Sequence, residues 1–127
     1  MSKYGWIGVD LDRTMFEYHT NPQGYNPLEI GEPLWAMVNR VKNWLMNGQE
    51  VRIFTARVSG FDLDTADGKE ARALVVEAIH AKLESVGIPP LKVTNEKDYH
   101  CIQIWDDIAV AVWPNTGNPV VIPSSDR

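Results

Sequence analysis

The sequence lacks the features that mark several common classes of protein. Among its 127 residues there is one cysteine, Cys101, which excludes an internal disulfide, and there is no Cys/His cluster at zinc spacing. No apolar run approaches the roughly 18 residues of a membrane-spanning helix, and no signal peptide precedes the first predicted strand. The formal net charge of −5 argues against nonspecific binding to nucleic acids. We therefore expect a cytoplasmic protein without a membrane partner, built as one domain over residues 1–123 with a polar tail at 124–127.

The most informative stretch is the apolar segment at residues 4–11, a predicted buried strand that runs into acidic residues. Asp10 and Asp12 lie two residues apart there, and Thr14 follows them. Side chains at i and i+2 share a face of an extended chain, so the two carboxylates would repel each other unless a cation or a substrate lay between them. The pattern Asp-x-Asp-x-Thr therefore favours a site for Mg²⁺ and phosphate, with an exposed acidic turn as the alternative.

The remaining hydrophobic pattern predicts two helices and several further strands. One helix begins at Pro33 and ends at Gly48, and the other is opened by Asp67 and Glu70, an acidic form of the capping box. This order implies right-handed crossovers and an α/β fold with helices on both faces of a mostly parallel sheet. Loops are expected at 15–32 and 56–68, and further strands at 51–55, 91–94, 102–105, 109–113 and 119–122.

Polar residues follow four of the predicted strands, at the end where parallel sheets bind ligands. We therefore expect them to meet at one edge of the sheet, where carboxylates could hold Mg²⁺ and a lysine could offset the charge of a phosphoryl group. Lys92 competes with Lys97 for that role, but it lies before or within the third strand rather than just after it. The residues that should converge are Asp10, Asp12, Thr55, Lys97, Asp106 and Asp107.

Taken in order, four segments of the chain resemble the four motifs of the haloacid dehalogenase superfamily of phosphohydrolases. They are Asp10-Leu11-Asp12-Arg13-Thr14, Ile53-Phe54-Thr55, Lys97 and Ile104-Trp105-Asp106-Asp107. The paired acids, together with Phe54-Thr55-Ala56-Arg57, are similar to the nucleotidase and polynucleotide-end phosphatase branches, and the short chain is similar to members encoded by phages and bacteria. The resemblance implies a three-layer Rossmann-like fold with a mostly parallel central sheet and no substantial cap domain.

The resemblance also implies a role for each motif residue in the Mg²⁺-dependent hydrolysis of a phosphomonoester. Asp10 would be the nucleophile that forms an aspartyl-phosphate, and Asp12 would be the general acid and base. Thr55 and Lys97 would hold the phosphoryl group. The ligands of Mg²⁺ would be Asp10, the main-chain carbonyl of Asp12, and one of Asp106 and Asp107, with the other acting through water.

One position departs from the pattern of the superfamily. The residue after the second aspartate is commonly glycine, which eases a tight turn, and here it is Arg13. An arginine implies a backbone that accommodates a side chain, and its cation could bind an anionic substrate or point to solvent. Arg57 could likewise bind an anionic substrate or point to solvent. We assign Thr14, Arg13 and Arg57 to substrate binding.

The gaps between the motifs have room for loops but not for a cap domain, so we expect an open site. An open site excludes water poorly unless the substrate or another subunit covers it, which favours a nucleotide or nucleic-acid end as substrate, or a homo-oligomer. The loop aromatics Phe16, Tyr18, Tyr25 and Phe61 could stack on a base or pack against the core. Two alternatives to hydrolysis stay open, namely a non-catalytic module that binds metal and phosphate, and phosphotransfer to an acceptor other than water.

Overall fold

The structure, a computed structural model, describes residues 5–19 and 22–121. The alternation of strands and helices predicted from the sequence is confirmed as far as the fourth strand. In chain order the elements are β1 (Trp6–Val9), α1 (Trp35–Met46), β2 (Glu50–Phe54), a 3₁₀ helix (Ala56–Val58), α2 (Ala66–Ser85), β3 (Val93–Thr94) and β4 (Cys101–Trp105).

The four strands form one parallel sheet in the order β3-β2-β1-β4. All four residues of β1 are buried, as expected for a strand that lies between two neighbouring strands. β2 and β3 extend the sheet on one side of β1, whereas β4 joins it on the other side. Such a change of direction opens a crevice at the carboxyl ends of the strands. The predicted α/β class with a parallel sheet is confirmed.

Both helices pack on the same face of the sheet. This arrangement follows from right-handed crossovers, because β1, β2 and β3 step in one direction across the sheet. The predicted third layer, with helices on both faces, is therefore wrong for the part of the chain that the structure describes. The shared apolar cluster includes Ile7, Val9, Val51, Ile53 and Val93 of the sheet, Met37, Val38 and Val41 of α1, and Val75, Ile79 and Leu83 of α2.

The opposite face is crossed by the connection from β3 to β4, residues 95–100, of which none is helical. Asp98 marks the path of this connection. One of its carboxylate oxygens accepts from Trp6 Nε1 at 2.8 Å, and the other accepts from Arg52 Nη1 at 3.4 Å. The Arg52 guanidinium also lies 4.5 Å from the centre of the Trp6 ring. The connection therefore runs from the carboxyl end of β3 back across the sheet to the amino end of β4.

The start of α2 differs from the predicted capping box of Asp67 and Glu70. The helix begins at Ala66, and the hydroxyl of Thr65 accepts from the Gly68 N–H at 3.0 Å. Threonine is a good N-cap because its hydroxyl satisfies one of the first N–H groups of the helix, which lack intrahelical partners. Asp67 instead lies in the first turn, where its charge favours the helix dipole.

The two strands predicted at 109–113 and 119–122 are reduced to a single antiparallel bridge between Val112 and Pro119. The Trp113 N–H donates to the Asn118 carbonyl at 2.8 Å, which closes the turn between them. Residue 122, the predicted tail at 124–127 and the start of the first predicted strand lie outside the described residues. No helix in the described part of the chain combines the length and apolar composition that crossing a membrane would require.

Candidate active site

The carboxyl end of β1 is held against the carboxyl end of β4. The Asp10 N–H donates to the Trp105 carbonyl at 2.9 Å, so main-chain pairing continues one residue beyond β1. Asp106 and Asp107 follow Trp105 directly, and this places three acids side by side at the crevice. One carboxylate oxygen from each of the three lies within 4.8 Å of the oxygens from the other two. We call Asp10, Asp106 and Asp107 the acidic group.

Asp10 holds a proton more tightly than an ordinary aspartate. Partial burial, the negative charges of Asp106 and Asp107, and a hydrogen bond between the Asp10 and Asp107 side chains together raise the pKa of Asp10 from 3.8 to about 7. Arg13 Nε lies 3.4 Å from an Asp107 oxygen, on a side chain that is 57% exposed. Clustered carboxylate oxygens of this kind suit a divalent cation.

After Asp10 the chain leaves the extended conformation. The Leu11 carbonyl accepts from the N–H groups of Met15 and Phe16 at 3.1 and 3.0 Å. The Arg13 N–H donates to the Phe16 carbonyl at 2.7 Å, and Arg13 adopts a φ of +67°. This is the left-handed region that favours glycine, and it costs a residue with a side chain roughly 1–2 kcal/mol. The expectation that an arginine here means a backbone suited to side chains is therefore wrong.

Asp12 does not belong to the acidic group, because its carboxylate is bound to Arg57. Oδ2 accepts from Nε at 2.8 Å and Oδ1 accepts from Nη2 at 2.7 Å. The Arg57 side chain is only 4% exposed, so this bidentate ion pair is largely shielded from water. We call Asp12 and Arg57 the arginine pair. The arrangement does not support the expectation that Asp10 and Asp12 face a common cation, because Arg57 binds both oxygens of Asp12.

The segment between β1 and α1 holds the guanidinium nitrogen of Arg57 that does not contact Asp12. Arg57 Nη1 donates to the carbonyl oxygens of Pro27 and Glu29 at 3.0 and 2.9 Å. The guanidinium also lies 5.3 Å from the centre of the Tyr25 ring. Burial opposes the charged form, but the hydrogen bonds and charge of Asp12 outweigh it and raise the pKa of Arg57. Because four hydrogen bonds from this guanidinium end within the protein, the arrangement does not support the substrate contact predicted for Arg57.

The two predicted threonines have different surroundings. The Thr14 hydroxyl donates to Asp10 Oδ2 at 3.4 Å, so it lies beside the acidic group. The Thr55 hydroxyl accepts from the Arg57 N–H at 3.1 Å and caps the 3₁₀ helix after β2. Thr55 is 3% exposed, and its own N–H donates to the Thr94 carbonyl at 2.9 Å. Thr55 therefore fixes the backbone that carries the arginine pair.

Lys97 is not brought to the acidic group. It is exposed within the connection that crosses the sheet, and its charge acts on the thiol of Cys101, the first residue of β4. Cys101 pairs with Trp6, the first residue of β1, at the amino ends of the strands. The role predicted for Lys97 assumed a chain that stays at the carboxyl edge after β3. The arrangement does not support that role because residues 95–100 run directly to the opposite edge.

A cavity of about 160 Å³ is lined by residues of the segment between β1 and α1 and by Arg57. Tyr18 and Tyr25 also line it and are 40% and 56% exposed. The other aromatics considered for stacking are elsewhere, since Phe16 is fully buried and Phe61 packs against the apolar cluster. Two of the four loop aromatics therefore remain candidates for contact with a ligand.

Comparison with protein-family models, with curated proteins and with solved structures finds no match to this chain. Sequence reasoning missed the arginine pair, although one signal for it was present. Arg57 stands between Ala56 and Val58 directly after a buried strand, where a charged side chain needs a partner.

Proposed function

We propose that the protein is a Mg²⁺-dependent phosphatase that hydrolyses a phosphomonoester through an aspartyl-phosphate on Asp10. One observation carries the proposal, namely the convergence of three carboxylates from the ends of two adjacent parallel strands. Partly buried like charges oppose folding, so a bound cation gives a reason for keeping them together. The resemblance of the four segments to the haloacid dehalogenase superfamily favours the same chemistry.

The donor chemistry of the acidic group fits Mg²⁺. This ion prefers oxygen ligands and retains several waters, so it needs only one or two protein carboxylates. Asp10 and one of Asp106 and Asp107 would hold it, and the main-chain carbonyl of Asp12 remains a predicted further ligand. When bound, the ion would offset the repulsion among the carboxylates and the negative charge of the substrate.

Asp10 is the proposed nucleophile because it belongs to the acidic group and matches the first aspartate of the motif that the chain resembles. An ionised carboxylate oxygen of Asp10 attacks phosphorus, and the bond from phosphorus to the leaving oxygen breaks. The leaving oxygen takes up a proton. Water then attacks the phosphorus of the aspartyl-phosphate, loses a proton and releases inorganic phosphate, which regenerates Asp10.

Asp12 is the proposed group that gives and takes these protons, as the resemblance implies. Both of its oxygens accept hydrogen bonds from Arg57, so a proton could be exchanged only if one of these bonds opened or were shared with the substrate. Four hydrogen bonds hold the guanidinium, and two of them end on main-chain carbonyls. Arg57 would therefore stay in place while the Asp12 carboxylate moves.

Arg13 and Thr14 are the proposed contacts for the phosphoryl oxygens. The Arg13 guanidinium is exposed and lies beside Asp107, and the Thr14 hydroxyl lies beside Asp10. Together they would supply the cation and the hydroxyl that the sequence pattern assigned to Lys97 and Thr55. Arg13 lies beside Asp107, whereas Lys97 lies near Cys101 at the amino end of β4.

A nucleotide or a short nucleic-acid end is the proposed substrate. The cavity beside the arginine pair presents Tyr18 and Tyr25, and aromatic rings stack on any base. The net charge of −5 disfavours a long polynucleotide tract. Phosphotransfer to an acceptor other than water would use the same residues.

A second candidate function is a module that binds metal and phosphate without turnover. The arginine pair favours it, because a general acid whose two oxygens are both engaged is not poised to release a proton. The position of Lys97 also favours it, since the proposed site lacks that predicted cation.

Phosphate release separates the two functions. We would test a panel of substrates: an aryl phosphate, nucleoside monophosphates, and oligonucleotides with a 3′ or 5′ phosphate. Each substrate would be tested with Mg²⁺ and with EDTA. We expect release that requires Mg²⁺ and is abolished by Asp10→Asn. The matched control is Asp64→Asn, which changes an exposed aspartate in the loop before α2 and should leave the rate unchanged.

The pattern of release decides between the candidates. Mg²⁺-dependent release that Asp10→Asn abolishes would support the phosphatase, and the best substrate would identify its class. Folded protein that binds Mg²⁺ but releases no phosphate from any member of the panel would favour the binding module.

A further inference from the structure

β4 is an edge strand without the usual protection. Within the described residues its one sheet neighbour is β1, so its outer edge presents unpaired backbone groups. Edge strands of monomeric proteins commonly carry charged residues or proline, which discourage pairing with another chain. β4 has neither in Cys101–Trp105, and its Ile102 side chain is 44% exposed. The strand is therefore suited to accept a further strand.

The chain that follows the acidic group is an exposed apolar hairpin. All fourteen residues at 108–121 are exposed, and we call them the C-terminal arm. Its two limbs are joined by the Val112–Pro119 bridge and by a hydrogen bond from the Val120 N–H to the Ala111 carbonyl at 2.8 Å. Contiguous exposed apolar surface usually marks an interaction site. The side chains that expose it most are Ile108, Val110, Val112, Trp113, Val120 and Val121, at 41–69%.

The face of the sheet that lacks helices adds a receiving surface next to β4. Phe54 and Ile104 are only half-buried there, on either side of Gly8. A methyl group on Gly8 would lie 2.8 Å from Ile104 Cδ1 and 2.9 Å from the Trp6 ring, so a glycine is needed for these side chains to pack here. Phe54 and Ile104 therefore add partly exposed apolar side chains to the sheet face beside β4.

The distribution of charge makes the arm and β4 the surface through which two copies of this chain can approach each other. Two copies with a net charge of −5 repel each other over most orientations. The C-terminal arm and β4 contain no charged residue, whereas the whole chain is 23% charged. Copies that meet through the arm and β4 therefore keep like charges out of contact except near Asp106 and Asp107, which lie between the two segments.

The size of the combined surface also suits a dimer. Stable interfaces bury about 800 Å² on each partner and involve roughly 20–30 residues on each side. The arm contributes fourteen residues and β4 contributes five, before the half-buried side chains of the sheet face are included. In the isologous interface, the arm of each copy packs on β4 of the other copy. Such an interface closes as a dimer and does not extend into a fibre.

We propose that the protein forms a homodimer in which the C-terminal arm of each copy packs on the outer edge of β4 and the adjoining sheet face of its partner. The arm begins one residue after Asp107, so the same contact would steady the strand end that carries two members of the acidic group. The proposal does not depend on phosphatase activity, and its test has no activity readout.

Sedimentation velocity of the full chain at micromolar concentration tests the dimer. The test variant is Val110→Asp with Val112→Asp, and the control is Leu74→Asp, which changes a side chain 49% exposed on α2. We expect a dimer for the unaltered protein and for the control. The test variant should dissociate at least roughly 100-fold more readily, because each aspartate places a charge in an apolar interface. A monomeric unaltered protein, or a dimer that the test variant leaves intact, would overturn the proposal.

Hydrogen exchange of the unaltered protein covers the case in which the test variant misfolds. We expect the backbone amides at 109–113 to be protected at concentrations where the dimer forms and to exchange faster on dilution. The helical amides of α1 should not depend on concentration in this way. Exchange in the arm that is equally fast at every concentration would contradict the proposal.

Discussion

The acidic group and the arginine pair begin from the same Asp-x-Asp sequence, yet they reach opposite electrostatic states. Asp10 is surrounded by two further carboxylates, and its pKa rises to about 7. Asp12, two residues later, has both oxygens matched by a buried guanidinium. The comparison separates the two roles that a buried carboxylate can have. A carboxylate neutralised by the protein supports the fold, whereas carboxylates left in excess indicate a place for a ligand.

Breaking the arginine pair should have the largest effect on stability. Arg57→Met leaves the Asp12 carboxylate unpaired and removes the donors to two main-chain carbonyls. Losing one partner of a buried ion pair costs about 3–5 kcal/mol, and we expect about 3 kcal/mol here because the Asp12 side chain is 25% exposed. Urea unfolding measures the loss. The matched control is Arg72→Met, since Arg72 makes one long hydrogen bond of 3.5 Å to the Val93 carbonyl. A loss below about 1 kcal/mol would contradict this account.

Removing charge from the acidic group should stabilise the fold, whereas breaking the arginine pair should destabilise it. The pKa of Asp10 is raised in the folded state, so the folded protein binds a proton at Asp10 more tightly than the unfolded chain does. The stability that this proton contributes is complete below about pH 4 and is lost as the pH rises through about 7. In EDTA at pH 8, Asp10→Asn should therefore raise the free energy of unfolding by about 2 kcal/mol, after allowance for partial exposure. At pH 4 the same substitution should not raise it. Asp64→Asn is the control. Equal effects of Asp10→Asn at the two pH values would show that the carboxylates do not repel one another.

Adding Mg²⁺ should relieve the same repulsion without a mutation. At ten times the dissociation constant, a bound ion raises the free energy of unfolding by about 1.4 kcal/mol. Thermal unfolding with Mg²⁺ and with EDTA measures the difference. Asp106→Asn should reduce the Mg²⁺ effect, whereas Asp64→Asn should retain it. An equal response of the unaltered protein and Asp106→Asn would place the ion elsewhere.

The smallest effect concerns the turn that separates the two carboxylates. Arg13 is held at a φ of +67°, so Arg13→Gly should stabilise the fold by about 0.5 kcal/mol once the greater entropy of unfolded glycine is subtracted. Arg13→Ala removes the same guanidinium but keeps the strain. Chemical denaturation should therefore show the Arg13→Gly variant more stable than the Arg13→Ala variant by about 1 kcal/mol. Equal stability of the two variants would mean that the turn carries no such strain.

The parts of the molecule that the sequence predicted are those fixed by local pattern. Apolar runs located the four strands, and the rule for the carboxyl ends of parallel strands brought Asp10 to Asp106 and Asp107. The direction of Asp12 could not be predicted in this way, because it depends on main-chain hydrogen bonds of the turn after β1. The position of Lys97 depends on a connection that crosses the sheet, which no local pattern records.

The third layer was predicted for a similar reason and was not found among the described residues. An alternating order of strands and helices does not state on which face each helix packs. Here the two crossovers step in the same direction, and the connection between β3 and β4 is too short to contain a covering helix. The face without helices adjoins the edge of β4 to which the arm of a second copy is proposed to bind.

Detection of a phosphoryl group on Asp10 is the most direct test of the proposed chemistry. The protein is mixed with its best substrate and Mg²⁺, quenched in acid within the first turnover, digested, and analysed by mass spectrometry. We expect one phosphoryl group on the peptide that contains Asp10. With an aryl phosphate whose leaving group needs no proton, we expect more of it in Asp12→Asn, because that variant still forms the aspartyl-phosphate but lacks the group proposed to deprotonate the attacking water. Rapid phosphate release with no phosphorylated Asp10 in either protein would contradict the account.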